Sequence, residues 1–338
     1  AIPFAIGKKL SGGKPIIKIL QHIIIRFISL IIIGVLMTNR LDLNTKLSGI
    51  STDMWSFLFF SAVILFWNSF PQSTSCKKNL FIFLKIIGLL ILIYLVLIYR
   101  SVERGHVSWI CTSYWGVLGL IGWAYLTSSM AYLYFRRCIE LMAVFMSVLI
   151  AVRIGESTGM LSRINILESM NMYIDVGSHI AGNTMITVAG AICSMFLIRE
   201  GKNIKSSKLF KWTMIFSSFL ALEGYCFQKF GINKSGAKIS WALYSSGICM
   251  VFFAIIFYIV DICKISLWTM CFNSAGKNPL LAFLLPPLIH PLFALLGINI
   301  FNFYVGYGIA GIFCSIIFTA FILLLTWWLS RLGISLRL

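Results

Sequence analysis

Lys18, His22, Arg26 and Ser29 follow one another at spacings of four, four and three residues, the repeat that lines side chains up on one face of a helix. Two are permanent cations and a third becomes one on protonation, so the stripe suits capture of an anion such as a phosphate. Arg26 stands midway along an apolar run. A charge there is expensive in hydrocarbon, which points to a polar cavity or to contact with the rest of a helix bundle. A plainer reading stays open, in which Lys18 and His22 snorkel to a membrane surface and Arg26 caps helix carbonyls.

A second group could move a proton. Asp175, Ser178, His179 and Asn183 stand at the start of another apolar segment. If the helix already runs there, Asp175, His179 and Asn183 share a face. A carboxylate one turn from an imidazole orients the ring and raises its basicity, as a general base requires; ordinary helix capping by Asp175 is the alternative. The loop ahead of them carries Arg153, Glu156, Arg163 and Glu168. Elsewhere, Glu103, Arg104, His106 and Trp109 bring acid, base and aromatic together. That set suits a sugar or an amine, and equally a solvated loop. In the tract from Ser274 to Leu281, Asn278 precedes Pro279 as a candidate N-cap, with Lys277 beside a helix start whose free N–H groups favour anions. Pro286 and Pro287 should break or kink that helix in mid-membrane and turn the broken face away from lipid, which places His290 next to a candidate substrate site.

The elements that must position these residues are membrane helices. The chain has 338 residues, 59% of them hydrophobic and 11% charged, with a mean hydropathy of +0.94. Soluble domains carry about 25% charged residues, so a soluble enzyme is excluded. A crossing takes about 20 apolar residues for about 30 Å of hydrocarbon. Such runs lie at 16–37, 54–70, 80–99, 115–134, 138–152, 179–198, 208–227, 239–262, 279–297 and 311–330. The expected fold is therefore all-α: a polytopic membrane helix bundle of about ten transmembrane helices, forming a single transmembrane domain over residues 1–338. The first 15 residues, with Lys8, Lys9 and Lys14, read as a basic, Gly-containing loop.

The net charge of +18 points in a membrane protein to sidedness rather than to nucleic acid. With ten crossings, sixteen Lys and Arg residues fall on the side of the two ends and nine on the other. The positive-inside bias then puts both ends in the cytoplasm. Most tryptophans fall near segment ends, as in an interfacial belt, although Trp109 or Trp115 could stack on a sugar. Gly116, Gly119 and Gly122 read as close helix packing. Nine cysteines without a Cys-x-x-Cys pair give neither a disulfide framework nor a metal site.

Three stretches carry a resemblance: Ala1-Ile2-Pro3-Phe4-Ala5-Ile6-Gly7-Lys8-Lys9, the tract from Tyr114 to Leu126 (YWGVLGLIGWAYL), and Gly276-Lys277-Asn278-Pro279-Leu280-Leu281. They resemble a bacterial membrane family related to heparan-alpha-glucosaminide N-acetyltransferase, a transmembrane acyltransferase. Arg26 followed eight residues later by Gly34 looks like the corresponding helix of that enzyme. The resemblance implies a bacterial cytoplasmic-membrane protein that takes an acetyl group from acetyl-CoA on the cytoplasmic side and passes it to an amino sugar or glycan on the other. On that reading Arg26, His22, Lys18, Asn278 and Lys277 would hold the coenzyme, His179, Asp175 and His106 would be the acid–base candidates, and Trp109, Asn183 and His290 would meet the acceptor. The enzyme's catalytic histidine precedes the stretch that Ala1 to Gly7 matches. No catalytic histidine is therefore carried over, and about two helices are expected ahead of Ala1. The partners expected are the bilayer and the sugar; self-association stays open and no nucleic acid is expected. The competing reading is a permease for N-acetylglucosamine or a related amino sugar, for which inverted repeats would be the sign; no repeat is visible.

Overall fold

The computed structural model describes residues 2–69, 75–103, 105–112, 115–160, 176–200, 206–234, 236–298, 308–336 and 338, with side chains described outside 75–78 and 206–207. Its helices are α1 (Ile2–Ser11), α2 (Ile16–Asn39), the single turn α3 (Thr45–Ser48), α4 (Thr52–Trp67), α5 (Ser75–Ile98), α6 (Gly116–Phe135), α7 (Ile139–Ser157), α8 (Asn183–Glu200), α9 (Ser206–Cys226), α10 (Ile239–Phe257), α11 (Met270–Lys277), α12 (Pro279–Leu295) and α13 (Gly308–Arg331). The strands β1 (Ser101–Glu103) and β2 (His106–Ser108) form one antiparallel hairpin. The all-α, membrane-type architecture is thus the one expected, and each of the apolar segments falls on helix.

Among the described residues six helical stretches are long and apolar enough to cross a membrane, and α11 with α12 counts as a seventh if that bent pair is one span. The expected number was ten, and the three segments left over differ from the others in physical terms. At 16 residues, α4 extends about 24 Å, short of about 30 Å of hydrocarbon. Glu140, Arg153 and Glu156 lie in α7, while Lys208, Lys211 and Glu223 lie in α9, charges that lipid penalises.

The chain divides into two compact units, residues 1–35 with 115–265 and residues 36–114 with 266–338. In the first, the core is built from Ile6, Ile19, Ile23, Met142, Met146, Met185, Val188 and Leu243, all buried. Small residues let its helices touch. A Cβ on Gly34 of α2 would collide with the backbone of Trp115 and Gly119. The α9–α10 pair is closed by Ser217 Oγ donating to Gly247 O at 2.9 Å. Hydroxyls of Thr127 and Ser128 in α6 meet Thr184 and Thr187 in α8, the interhelical hydrogen bonding common in membrane bundles.

The opening residues are not the loop expected. They form α1, closed by a left-handed Gly13 (φ 72°), with Lys14 N–H donating to Lys9 O at 3.1 Å and Gly13 N–H to Leu10 O at 3.0 Å. This is the Schellman closure that a Gly after a helix provides.

The second unit packs α4 against α5 and α12 around Trp55, Phe59, Phe60, Leu95, Tyr99, Leu281 and Leu284. Trp55 Nε1 donates to Leu95 O at 3.3 Å. Ser51 caps α4 by accepting from Met54 N–H at 3.2 Å, as N-cap serines do.

Candidate functional site

In the first unit, α2 displays Lys18, His22 and Arg26 on an exposed face, while Ser29 of the same stripe is buried. Ten residues into α2, Arg26 stands about 15 Å along the helix axis. Its guanidinium lies over the Tyr125 ring of α6, 4.7 Å from the centroid. Arg26 thus reaches α6 through its guanidinium plane, while Lys18 and His22 beside it on the same face are exposed. The helix α1 and its Schellman turn, where the sequence predicts a loop, add two cations, Lys9 and Lys14. Lys9 and Lys14 both act electrostatically on His22, together with Arg26. Burial, then repulsion from Lys14 and Arg26, lowers the pKa of the Lys9 ammonium. Among the described residues none of these side chains forms an ion pair. Crowded like charges without an acid are unstable alone and attract a polyanion. The signal that could have revealed Lys9 and Lys14 is Gly12-Gly13, a helix C-terminus marker.

The second group lies at the other end of this unit. The antiparallel run of α7 and α8 has Arg199 and Glu140 paired at 3.4 Å at one end, where the short turn 136–138 leads back to the end of α6 that meets α1. At the opposite end, buried Arg153 pairs with Glu156 at 2.5 Å and donates to Gly236 O at 2.7 Å and Ala237 O at 3.3 Å. A Cβ on Gly177 would collide with the Glu156 carboxylate, so this ion pair is packed directly on the π-helix Val176–Gly182 that carries Ser178 and His179. Such wide turns recur at functional sites. Asn183 Nδ2 donates to Ser178 O at 3.1 Å and His179 O at 3.3 Å, fixing the backbone around the half-buried imidazole. Asp175, Arg163 and Glu168 lie outside the described residues.

The remaining candidates belong to the second unit. Glu103 and His106 face each other as a cross-strand pair of the β1–β2 hairpin, both exposed; Arg104 lies outside the described residues. Trp109 is 55% exposed and its Nε1 donates to Val96 O at 2.8 Å, leaving a ring face open. Asn278 occupies the N-cap position of α12 without capping it. Its amide is buried, with Nδ2 donating to Ile334 O at 2.9 Å and to Ser330 Oγ at 3.4 Å, and Oδ1 accepting from Leu336 N–H at 3.1 Å. Lys277 beside it is exposed. Pro286 and Pro287 do not break α12, which stays helical through both; the break is the 79° bend between α11 and α12. Each proline removes the hydrogen bond its own nitrogen would make and crowds the carbonyl of the preceding turn, yet the helix continues through Pro286, Pro287 and Pro291. His290 is exposed on α12, its ring 5.1 Å from that of Phe318 in α13.

Chemically, the first unit thus offers a cationic strip suited to a polyanion and, on a π-helix packed against the Arg153–Glu156 pair, a half-buried imidazole. No group of three or more His, Cys, Asp or Glu that could hold a metal occurs among the described residues. No protein-family model matches the chain, and no curated protein or solved structure matches it either.

Proposed function

We propose that this chain is a membrane-bound acyltransferase-like protein that moves an acetyl group from acetyl-CoA to an amino sugar or glycan across a bacterial cytoplasmic membrane. The observation carrying this reading is the strip of Lys9, Lys14, Lys18, His22 and Arg26 in the first unit, which has no ion-pair partner among the described residues. Its cations fit the coenzyme's phosphates, and the coenzyme would supply the acetyl group as a thioester. The opposite end offers His179, which would take the proton released when the sugar amine nitrogen bonds to the acetyl carbon and the carbon–sulfur bond breaks, the thiolate regaining a proton. Asn183 holds the His179 backbone, and the Arg153–Glu156 pair packs on the same π-helix at Gly177. Both ends of the chain lie in the cytoplasm on this reading, in keeping with the charge bias.

The test is binding of acetyl-CoA to purified protein, followed by transfer of labelled acetyl to glucosamine. Arg26→Ala should weaken coenzyme binding at least tenfold, about 1.4 kcal/mol; unchanged binding discards the strip as the coenzyme site. His179→Asn should abolish transfer and keep coenzyme binding. The second reading, an amino-sugar permease, is favoured by the bent pair α11–α12, since broken helices build transporter sites. Sugar accumulation in proteoliposomes without coenzyme would establish it and sink the transferase.

A further inference from the structure

Arg40 follows α2 in the second unit and opens the turn Arg40–Asp42. Its surroundings are apolar and sparse in acceptors. Nη1 has one long hydrogen bond, to Ser56 Oγ at 3.5 Å, and that hydroxyl itself donates to Thr52 O at 2.6 Å. The guanidinium lies 5.3 Å from the centroid of the Phe60 ring, and Phe60 is fully buried. Nε is buried and has no hydrogen-bond partner among the described residues. No carboxylate comes within ion-pair distance of Arg40 among them; Asp53 acts on it only at longer range. A half-buried cation with an unfilled N–H is costly to keep unless something accepts from it.

The residues around it are fixed rather than loose. Asn39, next to Arg40, exchanges two hydrogen bonds with the Cys111 backbone, at 2.9 and 2.8 Å, and its carbonyl accepts from Tyr99 Oη at 2.8 Å. Beyond the turn, Asn44 N–H donates to Arg100 O at 2.9 Å and Leu43 bridges to Ser101. The guanidinium is therefore anchored at its root while its Nε has no acceptor among the described residues. The Nε–Nη edge is a planar two-donor fork matched to two oxygens of one anion.

We infer that Arg40 is an oxyanion-binding residue of the second unit, taking a phosphate group through its Nε–Nη edge. Phosphate is favoured by place: Arg40 ends a helical stretch long enough to cross the bilayer, Ile16–Asp42, so it stands at the depth of lipid headgroups. Two sources offer the same chemistry, a phospholipid phosphodiester and a free phosphate. The site is separate from the coenzyme strip and does not depend on the acyltransferase reading.

The full chain, purified in an uncharged detergent without phosphate, is titrated in one arm with sodium phosphate at constant ionic strength and in the other with phosphatidylglycerol in mixed micelles. Binding is followed by thermal shift and by the ¹⁵N signals of arginine Nε. One arm should stabilise the wild type and move an arginine Nε signal that Arg40→Lys removes, and the arm that does so identifies the source. Arg40→Gln and Arg40→Lys should each weaken that binding at least tenfold, the lysine variant because it keeps the charge but not the fork. The inference is overturned if neither ligand moves an arginine Nε signal, or if Arg40→Lys responds as the wild type does. Should Arg40→Gln fail to fold, the wild-type Nε signal and the lysine variant decide the matter.

Discussion

Arg153 shows how much one side chain can hold. It meets Glu156, Ser157, Gly236 and Ala237 from a position 4% exposed. Arg153→Ala would leave the Glu156 carboxylate half-buried beside Gly177 and two carbonyls unpaired, so a loss of about 3–5 kcal/mol in detergent denaturation is expected. Asn278→Ala removes both donors and the acceptor that tie the 330–336 stretch, and should cost about 1–3 kcal/mol in the same measurement. Lys9 gives a pH prediction. A base must be protonated to attract an anion, and the pKa of Lys9 lies below its ordinary range. Anion binding at the strip is therefore full below that lowered pKa and weakens as pH rises through it; Lys9→Gln should flatten the profile measured by equilibrium binding. At this scale the sequence was only half legible. The Lys18–His22–Arg26 stripe could be read because helix spacing alone creates it. Arg153 could not, because its carbonyl partners are more than eighty residues away. Asn278 was read as a cap, the role its place before Pro279 suggests, whereas its amide is spent on Ile334 and Leu336.

Helices were legible wherever an apolar run was long, and less so where local chemistry decides. The stretch from Ala1 to Lys14 looks like a loop because three lysines and three glycines break its hydropathy, yet Gly12-Gly13 ends a helix rather than preventing one. The pair Pro286-Pro287 looks like a break, yet α12 runs through both, and the chain bends at Asn278, where Pro279 marks a helix start but nothing in the sequence gives the angle. Which helices cross could not be settled from hydropathy runs alone, because α7 and α9 place charges among their apolar residues. The closest element contact gives the sharpest test. At Gly34 an added methyl meets backbone atoms of Trp115 and Gly119, which cannot rotate away. Gly34→Ala should lower the midpoint of thermal unfolding by the equivalent of about 1–3 kcal/mol, whereas Gly190→Ala, with open space around it, should leave it unchanged.

At the scale of the molecule, charge asymmetry supplies a prediction about sidedness. Cys138, Cys226 and Cys263 are all exposed. Cys138 adjoins Arg136 and Arg137, Cys263 adjoins Lys264, and Cys226 stands at the other end of α9 from Lys208 and Lys211. Single-cysteine variants in intact cells should react with an impermeant maleimide at Cys226 and not at Cys138 or Cys263; the reverse pattern overturns the cytoplasmic assignment. The second unit also has a consequence in time. Ser335 N–H donates to Asn68 Oδ1 across a separation of 267 residues, and Ser69 N–H donates to Ser335 O at 2.7 Å. A ribosome making this chain emits Asn68 early and Ser335 only after residues 115–265, the larger part of the first unit, have followed. Contacts so distant in sequence form slowly, so α4 must wait with its α12-facing surface uncovered, and a stall anywhere in between would leave quality-control proteases a half-built target.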